Sequence, residues 1–229
     1  MLRRSWEGLG VAVCGAAFLL LRLALYTQPG ILLGWHSDAA LLGLMARAIR
    51  AGDVPLLFWG SDYLAPLTSV FAAAIGTTPL ALRLGVAIEV FAALIFLHAT
   101  LRRIVTPAAS LLATFWLVAG PAFLFQLTHA PLSAEQYFFV GAISFWYVAR
   151  APFTRLHQFL VLGLLAGAGW WIHRGVMFVI VPSLIVILVY DARLLRRAEL
   201  ALGAIVFASG AVLGYVPAIL GRLAIDQRL

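Results

Sequence analysis

Apolar runs of helical length, divided by short connectors that carry arginine, set the plan of this chain. A bilayer core takes roughly 20 apolar residues per helix, with about 17 as a lower limit. By that measure, spans are expected at Gly8–Tyr26, Pro79–Leu101, Pro107–Gln126, Ser133–Ala149, Leu156–Ile172, Gly175–Tyr190 and Glu199–Leu220. Pro121 and Pro182 are expected to kink the third and sixth. The pattern contains no internal repeat, no low-complexity tract and no soluble domain. It predicts an all-α polytopic membrane protein of about seven spans, one transmembrane domain over 1–229.

One long stretch breaks the pattern, Trp35 to Tyr63. After Ser37-Asp38 it reads as a helix, with Leu41, Leu42, Leu44, Met45 and Ile49 on one side and Arg47 and Arg50 on another. That face is too polar at one edge to cross a bilayer and too apolar at the other to stand free, so an interfacial helix is expected. Asp62–Gly76 is apolar and about one helix long, but it contains Pro66 and runs into Gly76-Thr77-Thr78-Pro79. Charge counting decides its place. If it does not span, Arg3, Arg4, Arg102, Arg103, Arg150, Arg155, Arg193, Arg196 and Arg197 all share the cytoplasmic side; if it spans, all but the first two change sides. A second interfacial or re-entrant helix is therefore expected, inside a first outward loop of about 27–78.

Composition supports the membrane reading. Of the 229 residues 64% are hydrophobic and 11% charged, whereas a soluble domain is about half apolar and a quarter charged. The 16 basic residues are all arginine and the net charge is +7. In a soluble chain that balance suggests nucleic acid; here the arginines sit in short loops and no nucleic-acid module is present. Cys14, the single cysteine, lies in the first apolar run and forms no internal disulfide; a small core residue is expected. No small-x-small cleavage site follows Leu25, so the first span is expected to stay uncleaved, its N-terminus cytoplasmic.

This topology collects polar groups on the outward side: His36, Asp38, Asp53, Asp62, His129, Glu135, His173 and Arg174, with Arg22 and Arg83 just inside the spans. The inner side is mostly arginine. Acids and histidines gathered at one membrane face suggest a site.

The order of these features resembles the GT-C superfamily of membrane glycosyltransferases, in particular the bacterial protein O-mannosyltransferase and aminoarabinose transferase relatives. The resemblance is carried by Ser37-Asp38-Ala39-Ala40, by Ala46-Arg47-Ala48-Ile49-Arg50-Ala51-Gly52-Asp53-Val54-Pro55, and by Gly60-Ser61-Asp62-Tyr63. Ser133-Ala134-Glu135-Gln136-Tyr137 and Gly169-Trp170-Trp171-Ile172-His173 add to it. It implies transfer of a sugar from a polyprenyl-phosphate donor to an acceptor on the outer face of the bacterial plasma membrane. It implies no particular cofactor. Many members have adjacent acids where this chain has Asp38-Ala39, and members continue beyond a shared module that here reaches Leu229.

Each candidate has a plainer reading beside it. With the lipid phosphate as leaving group, such a reaction needs a carboxylate to take the acceptor's proton. Asp38 at the interface suits that role, and it suits equally a helix start in which Ser37 caps and Asp38 favours the positive end. Glu135 is the second acid candidate, against a capping pattern of Ser133 and Gln136. His173 and Arg174 after the Trp170-Trp171 pair could hold a lipid phosphate, or form an interfacial belt with a snorkelling arginine. Arg83 and Arg22 are weaker versions of that idea, and His36 and His129 complete the substrate-facing set. A divalent metal shared by Asp38, Glu135 and His36 or His129 is conceivable, but no ligand spacing is diagnostic. Glu89, about two turns below Arg83, should be protonated or paired with a neighbouring span and reads as structural, His98 and His157 read as ordinary polar residues, and Asp53 and Asp62 as turn and helix-start residues.

Two rivals stand beside the enzyme. One is a non-catalytic or truncated subunit that pairs with a second chain supplying further spans. The other is a transporter or flippase component, which predicts paired broken spans or an internal repeat, neither visible here.

Overall fold

The computed structural model of the chain describes residues 2–27, 37–59, 61, 64–119, 134–150, 152–191 and 197–226. Among these, nine α-helices and no strand occur. They divide into two compact units, Met1–Val54 with Leu67–Glu135, and Pro55–Pro66 with Gln136–Leu229. Three helices are long and apolar enough to cross a membrane: Trp6–Tyr26, Pro79–Leu101 and Ala198–Ala224.

The first unit is built on α1 (Leu2–Tyr26) and α4 (Pro79–Leu101). Thr78 starts α4 by accepting the Ala81 N–H at 3.1 Å, with Pro79 in the first turn where no amide donor is needed. Partner numbers fall along α4 as they rise along α1. Glu7 meets Arg102, Phe18 stacks on Phe91 with centroids 6.1 Å apart, and Arg83 lies over the Tyr26 ring at 5.5 Å. The two helices are therefore antiparallel, and residues 27 and 78 lie at the same end of the pair. α5 (Pro107–Ala119) packs on both helices. At the turn into it, the buried His98 Nδ1 lies 2.9 Å from Ser110 Oγ and 3.0 Å from Thr114 Oγ1.

Two short helices occupy the returning segment. α2 (Ser37–Arg50) buries Ala39, Leu42, Met45 and Ala46. The buried stripe is thus rotated from the expected one: Leu44 is 46% exposed, and the small residues Ala39 and Ala46 take the inner positions. α2 ends at Gly52, whose φ of +94° lets the Asp53 N–H return to Ala48 O at 3.0 Å. α3 (Leu67–Ile75) has 9 residues, about 14 Å of helix and far short of a bilayer. It docks through polar contacts as well as packing. Ser69 Oγ donates to Leu42 O at 2.9 Å, and Arg50 Nη1 donates to Ala73 O at 2.9 Å, near the negative end of α3. A Cβ at Gly85 would stand 2.8 Å from Ala72 N, so only glycine lets α4 come this close to α3.

The second unit contains α6 (Ala134–Val148) from Gln136 onward, its first two residues belonging to the first unit, then α7 (Leu156–Ile172), a 3₁₀ turn (Arg174–Val176), α8 (Met177–Val186), a π segment (Ile187–Asp191) and α9 (Arg197–Asp226). Pro182 lies inside α8 and the widened π turns follow it. Pro121 lies outside the described residues. α7 and α9 pack through glycines. Cβ atoms at Gly163 and Gly167 would strike the carbonyls of Phe207 and Ala211, and one at Gly210 would stand 2.5 Å from Leu160 O. Gly214 meets Leu164 O in the same way. Lipid is as apolar as leucine, so helices in a bilayer associate through close packing of small residues, and the spacing Gly163/Gly167 against Gly210/Gly214 provides it. The strap Pro55–Pro66 is tied to the end of α7: Trp171 Nε1 donates to Leu56 O at 2.8 Å, and Ala65 N–H to Ile172 O at 3.4 Å.

Candidate functional site

Asp38 lies in the first turn of α2 and is exposed. Ser37 Oγ reaches its Oδ1 at 3.4 Å, a long contact that leaves the carboxylate open to water. The burial of Ala39, Leu42, Met45 and Ala46 holds the helix, while Ser37, Asp38 and Ala40 of its first turn are exposed. Asp38 is therefore positioned by packing on the opposite side of α2. A carboxylate so placed can accept a proton from an approaching hydroxyl or amine.

Glu135 has a different setting. It is fully buried, and Thr68 Oγ1 lies 3.0 Å from its Oε1. The same hydroxyl lies 2.9 Å from Glu89 Oε2, and Glu89 is fully buried too. The structure thus brings Glu135 together with Glu89 and Thr68, three residues from α6, α4 and α3. Sequence reasoning had placed Glu135 at the mouth of its span and Glu89 apart as a structural residue. An acid within an apolar span is itself a signal, because intramembrane charge is costly. Thr68 gave none.

Arg83 is buried, 1% exposed, with its guanidinium over Tyr26. Arg22 is equally buried, 5.1 Å above the Phe18 ring. Both arginines sit against aromatic faces inside the unit, where ring quadrupoles favour a cation.

In the second unit, His173 joins α7 to the 3₁₀ turn in extended backbone. Its Nδ1 accepts the Gly175 N–H at 2.9 Å and its ring packs on Tyr137, centroids 4.9 Å apart. Burial holds this imidazole below its usual value of 6.5. The neutral ring is also the form that accepts from Gly175. A Cβ at Gly175 would stand 2.8 Å from that nitrogen, so the bond needs glycine there. Arg174 is exposed beside it. An apolar cavity of about 430 Å³ opens between α7, α8 and α9, lined by Gly167, Trp170, Met177, Ile180, Phe207 and Tyr215 among others.

His36, His129 and Asp62 lie outside the described residues. His157 is exposed, and Asp53 follows the glycine turn that ends α2. Among the described residues, no group of three His, Cys, Asp or Glu side chains is placed to hold a metal ion. Comparison with protein-family models, with characterised proteins and with solved structures gave no match.

Proposed function

We propose that this chain is the membrane module of a glycosyltransferase. It takes a sugar from a polyprenyl-phosphate donor and passes it to an acceptor on the outer face of a bacterial plasma membrane. Asp38 is the general base. The observation that carries the reading is the setting of that acid: exposed in the first turn of an amphipathic helix, in a segment that leaves and re-enters at one end of the α1–α4 pair. A lone carboxylate at a membrane surface suits proton abstraction from a hydroxyl or amine.

The second unit supplies features that suit a lipid donor. Its cavity is lined almost wholly by apolar side chains and fits an isoprenoid chain. Arg174, which with His173 follows Trp170 and Trp171 in sequence, offers a cation for a phosphate. In this reading α5 to α8 are shorter spans beside the three long ones, giving about seven crossings with the N-terminus in the cytoplasm.

The test is transfer of labelled sugar from a polyprenyl-phosphate donor by the protein in reconstituted membranes. Asp38→Asn keeps the shape and removes the base. Loss of about 100-fold or more in turnover is expected, with donor binding retained. Full activity in Asp38→Asn would overturn the assignment of the base, and absence of transfer by the parent protein would overturn the reaction.

A further inference from the structure

Thr68 Oγ1 lies between two carboxyl oxygens, 2.9 Å from Glu89 Oε2 and 3.0 Å from Glu135 Oε1. All three side chains are fully buried. A threonine hydroxyl carries one proton, so it donates to one of these oxygens only. A hydrogen bond on the other side requires that carboxyl to bring a proton of its own and donate it to the hydroxyl oxygen. Two ionised carboxylates around one hydroxyl would instead set an anion against a lone pair, in a fully buried place where charge is costly.

We propose that Glu89 and Glu135 hold a proton between them through Thr68, and that this proton-bearing pair is the latch that fixes α3 to α4 and to the start of α6. The bound species is the proton. A hard cation takes about six oxygen ligands against the five of these two carboxyls and hydroxyl, and among the described residues no group of three His, Cys, Asp or Glu side chains is placed to hold a metal ion. The inference is independent of the glycosyltransferase reading. It makes Glu135 part of the latch, acting through Thr68 on α3.

The neighbouring charges have other settings. α3 and α5 carry no ionisable side chain. α1 brings Cys14, Arg22 and Tyr26, and α4 brings Arg83; the arginines lie over Phe18 and Tyr26. Glu7, Arg102 and His98 stand at the far ends of α1 and α4. α2 carries Asp38, Arg47 and Arg50, the last donating to Ala73 O. α6 carries Glu135, with Tyr137 against His173.

The experiment uses the full chain in lipid nanodiscs at neutral pH. Infrared difference spectra between the parent and Glu89→Gln should contain the carbonyl stretch of a protonated carboxyl. Thr68→Val should move that band, because the hydroxyl partner is gone. In parallel, Ala73→Cys in a Cys14→Ala background reports on α3, since Ala73 is 6% exposed. Glu135→Gln, which still hydrogen-bonds, should keep that cysteine protected from maleimide. Glu135→Ala should label about tenfold faster. Should Glu89→Gln fail to fold, Glu135→Gln gives the same difference spectrum. Absence of the protonated band, sodium-dependent protection of the cysteine, or equal labelling of Glu135→Ala and the parent would each overturn the proposal.

Discussion

Glu7 and Arg102 are 95 positions apart in sequence, yet Arg102 Nε and Nη2 both reach Glu7 Oε2, at 2.9 and 2.8 Å. The contact fixes one end of the α1–α4 pair as the Tyr26–Arg83 contact fixes the other. Both side chains are partly exposed, 30% and 21%, so the pair is screened and worth at most about 1 kcal/mol. Arg102→Ala should lower stability by no more than that. Unfolding in detergent at low and high salt checks it: the parent loses a little stability with salt, and the variant loses less.

In the proposed topology the segment between residues 27 and 78 lies on one side of the bilayer. Single cysteines at Ser61 and Arg103, in a Cys14→Ala background, should be labelled from opposite faces. The positive-inside rule puts Ser61 outside and Arg103 in the cytoplasm. Labelling of both from one face would contradict the proposed topology.

The glycine contacts of α7 and α9 predict a sharp contrast among substitutions. Gly167→Val places side-chain atoms where Ala211 O stands and should destabilise by about 1–3 kcal/mol or separate the helices. Gly43→Ala meets nothing within 4 Å and should stabilise α2 by up to about 1 kcal/mol, the helix propensity of alanine over glycine. Unfolding midpoints of the two variants should move in opposite directions.

His173 predicts a response to acid. Its folded value lies below the usual 6.5, so the unfolded chain binds the proton more readily. The stability it contributes is complete above the unfolded value and is lost as pH falls through the folded one. Protonation also abolishes the acceptor for Gly175 N–H. His173→Asn retains an acceptor without the titration. Unfolding measured from about pH 7 down to about pH 5 should show a decline in the parent that the variant reduces.

Much of the fold was legible in the chain because bilayer physics writes it in long strokes. The apolar runs located α1, α4 and α9, the three helices long and apolar enough to cross a membrane, while the stretch from Asp62 to Gly76 yields only the 9-residue α3. The inner stripe of α2 was read less well. Hydrophobicity alone favoured Leu41 and Leu44, whereas close docking favours small Ala39 and Ala46. The Gly163/Gly167 and Gly210/Gly214 spacing was readable as a packing signal, but which glycines face one another depends on tertiary contact. The Thr68 bridge was beyond reach for a firmer reason: its acids are separated by 46 positions and its hydroxyl looks like any other in an apolar helix.

Main chain touching main chain along α7 and α9 leaves those two rods no freedom to slide, for every step would drive a carbonyl into a glycine. The irregular stretch in that half of the protein is Arg174–Asp191, where a tight turn, a helix interrupted by proline and a widened coil succeed one another. A greasy molecule entering the hollow beside Met177 and Ile180 would meet that irregular wall on one side and the close-packed pair of rods on the other.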